Sequence, residues 1–149
     1  MNNEEEFINF VCRNCSLKYI DDGHKLLWCK GFVQAFSGEY ILAVHLLVPQ
    51  IEHYLRKKAE SIYGPLHKLE NVRQQDEPTL TNILELLKNH FKKDLYHDFR
   101  LFFNAASDVN MRNNIAHGLW GYNEILKHAP YCIWLAIKIY FCEDEVFVE

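Results

Sequence analysis

The sequence predicts an all-α fold, a bundle of five or six helices, from three observations. Apolar residues recur at helical spacing through most of the chain, Thr and Gly stand where helices would start and stop, and strand-like alternation is confined to Glu145–Val148. With 149 residues, 49% of them hydrophobic and 24% charged, and only 6 Gly and 4 Pro, the composition is that of a packed globular chain. It excludes collagen-like, low-complexity and largely disordered readings and fits one domain over residues 1–149.

Leu26, Leu27, Val33 and Phe36 make the first helical pattern, which Gly38 breaks. The next helix is expected from about Tyr40 to Ile62, with Leu47, Ile51, Tyr54, Leu55 and Ala59 as its apolar stripe. Glu52, Arg56 and Glu60 lie one turn apart on a more polar face. Pro49 within that span implies a kink or an offset start. Tyr63 to Pro78 reads as a loop. Thr79 or Thr81 can then cap a helix carrying Leu80, Ile83, Leu84, Leu87 and Phe91, and Leu95–Ala106 forms another. A short helix from about Val109 to His117 should end at Gly118, which suits the left-handed position after a helix. The last, from about Glu124 to Phe141, is apolar nearly all round and belongs in the core or in a subunit interface.

Charge and cysteine usage narrow the possible partners. The formal charge is −4, but 7 of the 20 acidic residues lie in residues 1–6 and 143–149, so residues 7–142 carry 16 basic and 13 acidic side chains. That mild excess does not demand a polyanion, and it removes the objection to one. The five cysteines, with an acidic start where a signal peptide would be basic, point to reduced thiols in the cytoplasm. No apolar run reaches the roughly 20 residues of a membrane span.

The densest polar cluster in an otherwise apolar region is Met111–Gly118, with Arg112, Asn113, Asn114 and His117. On one helix Asn113 and His117 share a face, while Arg112 and His117 diverge by about 140°. Two copies meeting across a symmetry axis would place both kinds of side chain around one groove, so the spacing favours a dimeric site. His117, in a last helical turn, suits proton transfer near neutral pH. Arg112 offers a planar fork of donors to a phosphate, and Asn113 can bond to substrate or hold the histidine. The spacing leaves a purely structural role open, in which Arg112 and Asn113 cap neighbouring helix ends and His117 closes its own.

The pattern Arg112-Asn113-x-x-x-His117-Gly118 resembles the R-x4-6-H signature of the HEPN superfamily of helical nucleotide-binding domains. More narrowly it is similar to an RNxxxHG family related to the endoplasmic-reticulum membrane-associated RNA degradation protein. Phe36–Tyr40, the run His45–Glu52 and Leu55-Arg56 resemble the same family, so the likeness covers about residues 24–120. The resemblance implies a homodimeric domain that acts as a metal-independent endoribonuclease without a cofactor. In it Arg112 would orient and neutralise the scissile phosphate, Asn113 would position or polarise, and His117 would be general acid or base. The RNA's own 2′-hydroxyl would be the nucleophile, leaving a 2′,3′-cyclic phosphate. Superfamily members that have lost catalysis imply a second reading, a silent module that dimerises or binds RNA or protein. Some relatives act as toxins with an antitoxin partner such as a nucleotidyltransferase.

Glu52 and Arg56 can be a surface ion pair or can brace the groove, and with Asn114 they are the supporting candidates. Lys57, Lys58, Lys92 and Lys93 are candidates for tracking an RNA backbone. Trp120, Tyr122, Tyr131 and Trp134 could stack on bases, although core or dimer packing suits their position better. Cys12, Cys15, His24 and Cys29 have the residue types of a zinc site but not its compact spacing, so they are expected to pack as ordinary apolar groups. His90, Asp94 and His97 could share a helix face, which is expected to be solvated.

Overall fold

The computed structural model describes residues 3–66, 78–104 and 109–148; most of the expected 63–78 loop, and Ala105 and Ala106, lie outside them. Among the described residues there are eight helices: α1 (Asn3–Arg13), α2 (Asp22–Phe36), α3 (Tyr40–Tyr63), α4 (Leu80–Leu87), α5 (Lys93–Phe103), α6 (Met111–Ala116), α7 (Tyr122–Phe141) and α8 (Glu143–Val146). The fold is all-helical, and the count exceeds five or six because helices also form in the two acidic end segments. Glu4, Glu5 and Glu6 open α1, and Glu143, Asp144 and Glu145 open α8, where carboxylates favour the positive end of the helix dipole. The Glu145–Val148 alternation is therefore not a strand: one helical turn is followed by an isolated antiparallel bridge between Phe147 and Phe91.

Helix ends follow local chemistry. The Asp21 side chain accepts from the His24 amide at 2.9 Å to start α2, and Thr79 accepts from the Asn82 amide at 3.3 Å to start α4. Both α2 and α6 end in the paired hydrogen bonds of a Schellman motif. Gly38 at φ +83° and Gly118 at φ +62° occupy the left-handed position; Glu39 N–H reaches Gln34 O at 2.9 Å, and Leu119 N–H reaches Asn114 O at 2.8 Å. Pro49 lies inside an unbroken α3 rather than at an offset start. Helix α4 stops at Leu87, so Phe91 belongs to the bridge beyond it, and His90 is not on one helix with Asp94 and His97.

Helix α3 is the axis of the packing, touching α2, α7, α4 and α6. Ala43, Val44, Leu47, Val48, Ile51, Tyr54, Leu55 and Ala59 are all buried on it. Gly31 allows α2 to come close: a Cβ there would lie 2.6 Å from Leu47 Cδ2, and Leu47 is fully enclosed. Helix α7 buries Ala129, Cys132, Leu135, Ala136, Ile139 and Tyr140, but its far face leaves Tyr131 and Trp134 about two-fifths exposed, so it is not covered all round. No helix among the described residues is long and apolar enough to cross a membrane.

One acid counted with the charged ends is buried. Glu143 Oε1 accepts hydrogen bonds from the Tyr54 hydroxyl and, at 2.9 Å, from Lys58 Nζ. Burial, and then the adjacent carboxylate, push the Tyr54 phenol well above its ordinary pKa. The Glu143 backbone N–H donates to Ser16 Oγ at 3.1 Å, and that hydroxyl donates to Tyr140 O at 2.8 Å. Lys58 also lies 4.8 Å over the Phe147 ring.

Two stability predictions follow from these contacts. Gly31→Val is expected to lower unfolding free energy by about 1–3 kcal/mol through overpacking against Leu47, read by urea denaturation. Lys58→Met, which strands the Glu143 carboxylate, is expected to cost about 3–5 kcal/mol, and adding Glu143→Leu is expected to restore much of that loss. Losses that simply add would show that the two side chains are not coupled.

Candidate functional site

The Met111–Gly118 segment folds as the single-turn-and-a-half helix α6, clasped at both ends by Asn114. Its side-chain amide donates to Val109 O at 2.9 Å, and its backbone carbonyl accepts from the Leu119 and Trp120 amides at 2.8 and 3.3 Å. Asn110, in the left-handed conformation at φ 34°, turns the chain into the helix. Asn114 thus supports the segment from behind. The closing residue of the helix is His117, whose amide bonds Asn113 O at 3.0 Å.

Arg112 is held in a fixed pose. Its Nε donates to Glu52 Oε2 at 2.8 Å, its Nη2 to Glu52 Oε1 at 3.3 Å, and its Nη1 to Asn113 Oδ1 at 2.8 Å. Glu52 also accepts from Arg56 Nη2 at 3.5 Å, and Arg56 Nη1 donates to Pro78 O at 3.1 Å. One carboxylate therefore stands between two guanidinium groups, with Glu52 and Arg56 less than one-fifth exposed and Arg112 about one-third. The i, i+4 pair and the long-range pair are one network joining α3, α6 and the start of α4.

This network lines two adjoining cavities. The larger, about 390 Å³, is bounded by Glu52, Arg56, Arg112 and Asn113, by Phe103, and by residues 78–81 at the amino end of α4. The smaller, about 240 Å³, lies against Val48, Pro49, Glu52, Arg112, Ile115 and Ala116. Among the described residues, two guanidinium groups and a helix amino terminus line the larger cavity, donors of the kind that suit an anion such as a phosphate group. Nothing local in the sequence marks Phe103 or the α4 terminus as groove residues. Thr79 was legible only as a cap, and only the tertiary fold brings that cap beside Arg56.

The expected site residues are therefore partly united. Arg112 and Asn113 reach the larger cavity with Glu52 and Arg56, whereas His117 lies exposed past the end of α6 and lines neither cavity. Asn113 and His117 stay one turn apart, joined by the His117 N–H to Asn113 O bond, with His117 as the closing residue at φ −99°, ψ 6°. Of the four lysines, Lys58 is committed to Glu143, Lys57 pairs with Glu60 at 2.9 Å, Lys92 donates to Asp144 O at 2.7 Å, and Lys93 is exposed at the start of α5. None of the four borders the cavities.

Of the four possible zinc ligands, His24 parts from the cysteines. Cys12 and Cys29 approach at 2.9 Å between their sulfur atoms, and Cys29 also meets the Tyr140 hydroxyl at 3.8 Å. Burial pushes the Cys29 thiol up to about 12. His24 instead turns toward α3, where its Nδ1 meets Gln50 Oε1 at 2.7 Å. Trp120, His128, Phe102, Tyr131 and Trp134 form a run of ring contacts along α7, with Tyr131 and Trp134 at 5.2 Å between centroids. Tyr122 is exposed at the start of that helix.

No family model, curated protein or solved structure matches the chain.

Removing the shared carboxylate tests the network. Glu52→Gln is expected to cost about 1–2 kcal/mol on urea denaturation, a hydrogen-bonded charge discounted for the partial exposure of Arg112. In an Arg112→Ala background the same change is expected to cost measurably less, and equal costs would mean that the two side chains act independently.

Proposed function

We propose that the chain is a HEPN-type, metal-independent endoribonuclease that works as a homodimer. The observation that carries this reading is the anion-compatible groove in which Arg112 and Asn113 of the RNxxxHG segment meet Glu52 and Arg56 of the second segment that carries the resemblance. Glu52 and Arg112, 60 positions apart and each inside a segment that carries the resemblance, are bonded to each other.

In this reading the RNA phosphate enters beside Arg112, whose guanidinium orientation is set by Glu52 and Asn113 before the substrate arrives. Such preorganisation places charge where the phosphorane develops it, without rearrangement during the reaction. His117 stands on the rim of the α6 end, and a second copy docked across the groove supplies its histidine to the phosphate held by the first. The imidazole takes the proton from the 2′-hydroxyl or gives one to the departing 5′-oxygen. The 2′-oxygen bonds to phosphorus, the P–O5′ bond breaks, and a 2′,3′-cyclic phosphate remains. The proposal needs neither a metal nor a protein nucleophile.

A second reading, a catalytically silent dimerisation or RNA- or protein-binding module, is favoured by one specific observation. All three nitrogens of the Arg112 guanidinium already have partners within the chain, and His117 borders neither cavity. That arrangement also suits a helix end held in place for structural reasons.

The experiment that separates them is cleavage of a mixed single-stranded RNA with and without chelator. His117→Ala is expected to slow cleavage by about 10²–10⁴-fold without unfolding the chain. Arg112→Lys is expected to be severely impaired, because the ammonium keeps the charge and loses the planar fork. A substrate with 2′-deoxyribose at the scissile position is expected to bind and resist cutting; cutting at an unchanged rate would eliminate the 2′-hydroxyl as nucleophile. Light scattering at micromolar concentration is expected to report a dimer, and a strict monomer would eliminate the shared groove. Binding of RNA with no cleavage by the wild-type chain would favour the silent module.

A further inference from the structure

Outside the residues that line the two cavities, Asp21, His24 and His53 bring one carboxylate and two imidazoles together. One potential ligand atom from each lies within 4.8 Å of the other two. Their sequence positions hide this: His24 is in the first turn of α2, Asp21 is its cap, and His53 comes from the middle of α3. We propose that these three side chains form a binding site for a borderline divalent transition-metal ion of the zinc, cobalt, nickel and copper group, separate from the groove and independent of the ribonuclease reading.

The donor set comes first in the argument. Two neutral imidazoles and one carboxylate are the ligands that zinc and its neighbours take, and they are poor ligands for the hard, oxygen-seeking magnesium ion. A second observation concerns how His24 is held. Gln50, a polar side chain only 6% exposed on an otherwise apolar stretch of α3, accepts from His24 Nδ1 at 2.7 Å. With the proton fixed on Nδ1, the lone pair is on Nε2, the nitrogen that faces Asp21 Oδ2 at 3.9 Å. A buried acceptor that sets the tautomer and aim of a histidine is the usual outer support of a metal-bound imidazole.

Asp21 divides its two oxygens. Oδ1 caps α2 through the His24 amide at 2.9 Å, and Oδ2 is the oxygen turned toward the imidazole. The two rings stack at 3.5 Å with 4° between their planes. Coordination at about 2.0–2.1 Å requires both lone pairs to converge, so the rings must fan out of this stack when the ion enters. Asp21 is exposed and both rings are half-buried. Three protein ligands leave a fourth position for water, as in an open site.

The test uses the full chain, stripped with chelator and titrated with Co²⁺ and Zn²⁺. One ion per chain is expected, with a cobalt spectrum of nitrogen and oxygen ligation and a higher melting temperature in zinc. In the wild type, the side-chain NMR signals of His24 and His53 are expected to shift on zinc addition, a readout that does not depend on any variant folding. His53→Gln is expected to abolish binding, and Gln50→Leu to weaken it about 10–100-fold. Stoichiometric binding with intense sulfur-to-cobalt charge transfer, lost in Cys12→Ser, would overturn the proposal by placing the ion on the thiols. Failure of zinc to bind or to shift the two histidines would overturn it outright. Because these residues do not line the groove, His53→Gln is expected to leave any RNA cleavage unchanged, which keeps the two ideas distinguishable.

Discussion

A helix surrounded by other helices has to find a partner for each polar group it carries, and α3 carries several. Its apolar side chains fill the space between α2 and α7, while its polar ones emerge in different directions. Gln50 meets His24 of α2, Glu52 meets Arg112 of α6, and Tyr54 with Lys58 meets Glu143 at the start of α8. Burying polar groups unpaired would cost several kcal/mol, so these three connections fix the rotation of α3 and the places of its neighbours together. The groove is one product of that constraint.

Glu52 gives the groove its particular balance. Without it, two guanidiniums would face each other across a partly dry space; with it, both are held close to one carboxylate. The same carboxylate holds Arg112 from the side, so the orientation of the guanidinium comes from α3 while its position comes from α6. Behind α6, the glycine at position 118 and the bonds of Asn114 fix where the helix stops, and with it where His117 leaves the chain.

Much of this was legible in the sequence where the signal was local. The Thr79 cap, the Gly38 and Gly118 terminations and the apolar stripe of α3 depend on neighbours within a turn or two, and the structure has them. Glu52–Arg56 was legible for the same reason. The Glu52–Arg112 bond was not, since nothing in the composition of either segment encodes the other; only the resemblance placed both on one list. The acidic ends misled in a different way. A count of charges treats Glu143 as a solvated tail residue, whereas its neighbours Val146 and Phe147 are apolar enough to draw the whole turn inward. Lys58 likewise looked like one of a run of cations, and its actual partner is 85 positions away. His24 is near the cysteines in sequence, but a helix presents successive residues to different neighbours.

The bond between Ser16 and Glu143 spans 127 positions, and Ser16 also reaches Tyr140. On a ribosome, residues that close so long a loop must wait for one another, and the entropy of closing it is met only when the later partner exists. The segment after α1 therefore spends most of synthesis with its hydroxyl and amide turned to water, docking when residues 139–143 have emerged. Cys15, next to Ser16, thus stays open to solvent and to oxidants in the nascent chain for longer than its half-buried final position suggests, whereas Cys12 meets Cys29 once α1 and α2 have formed.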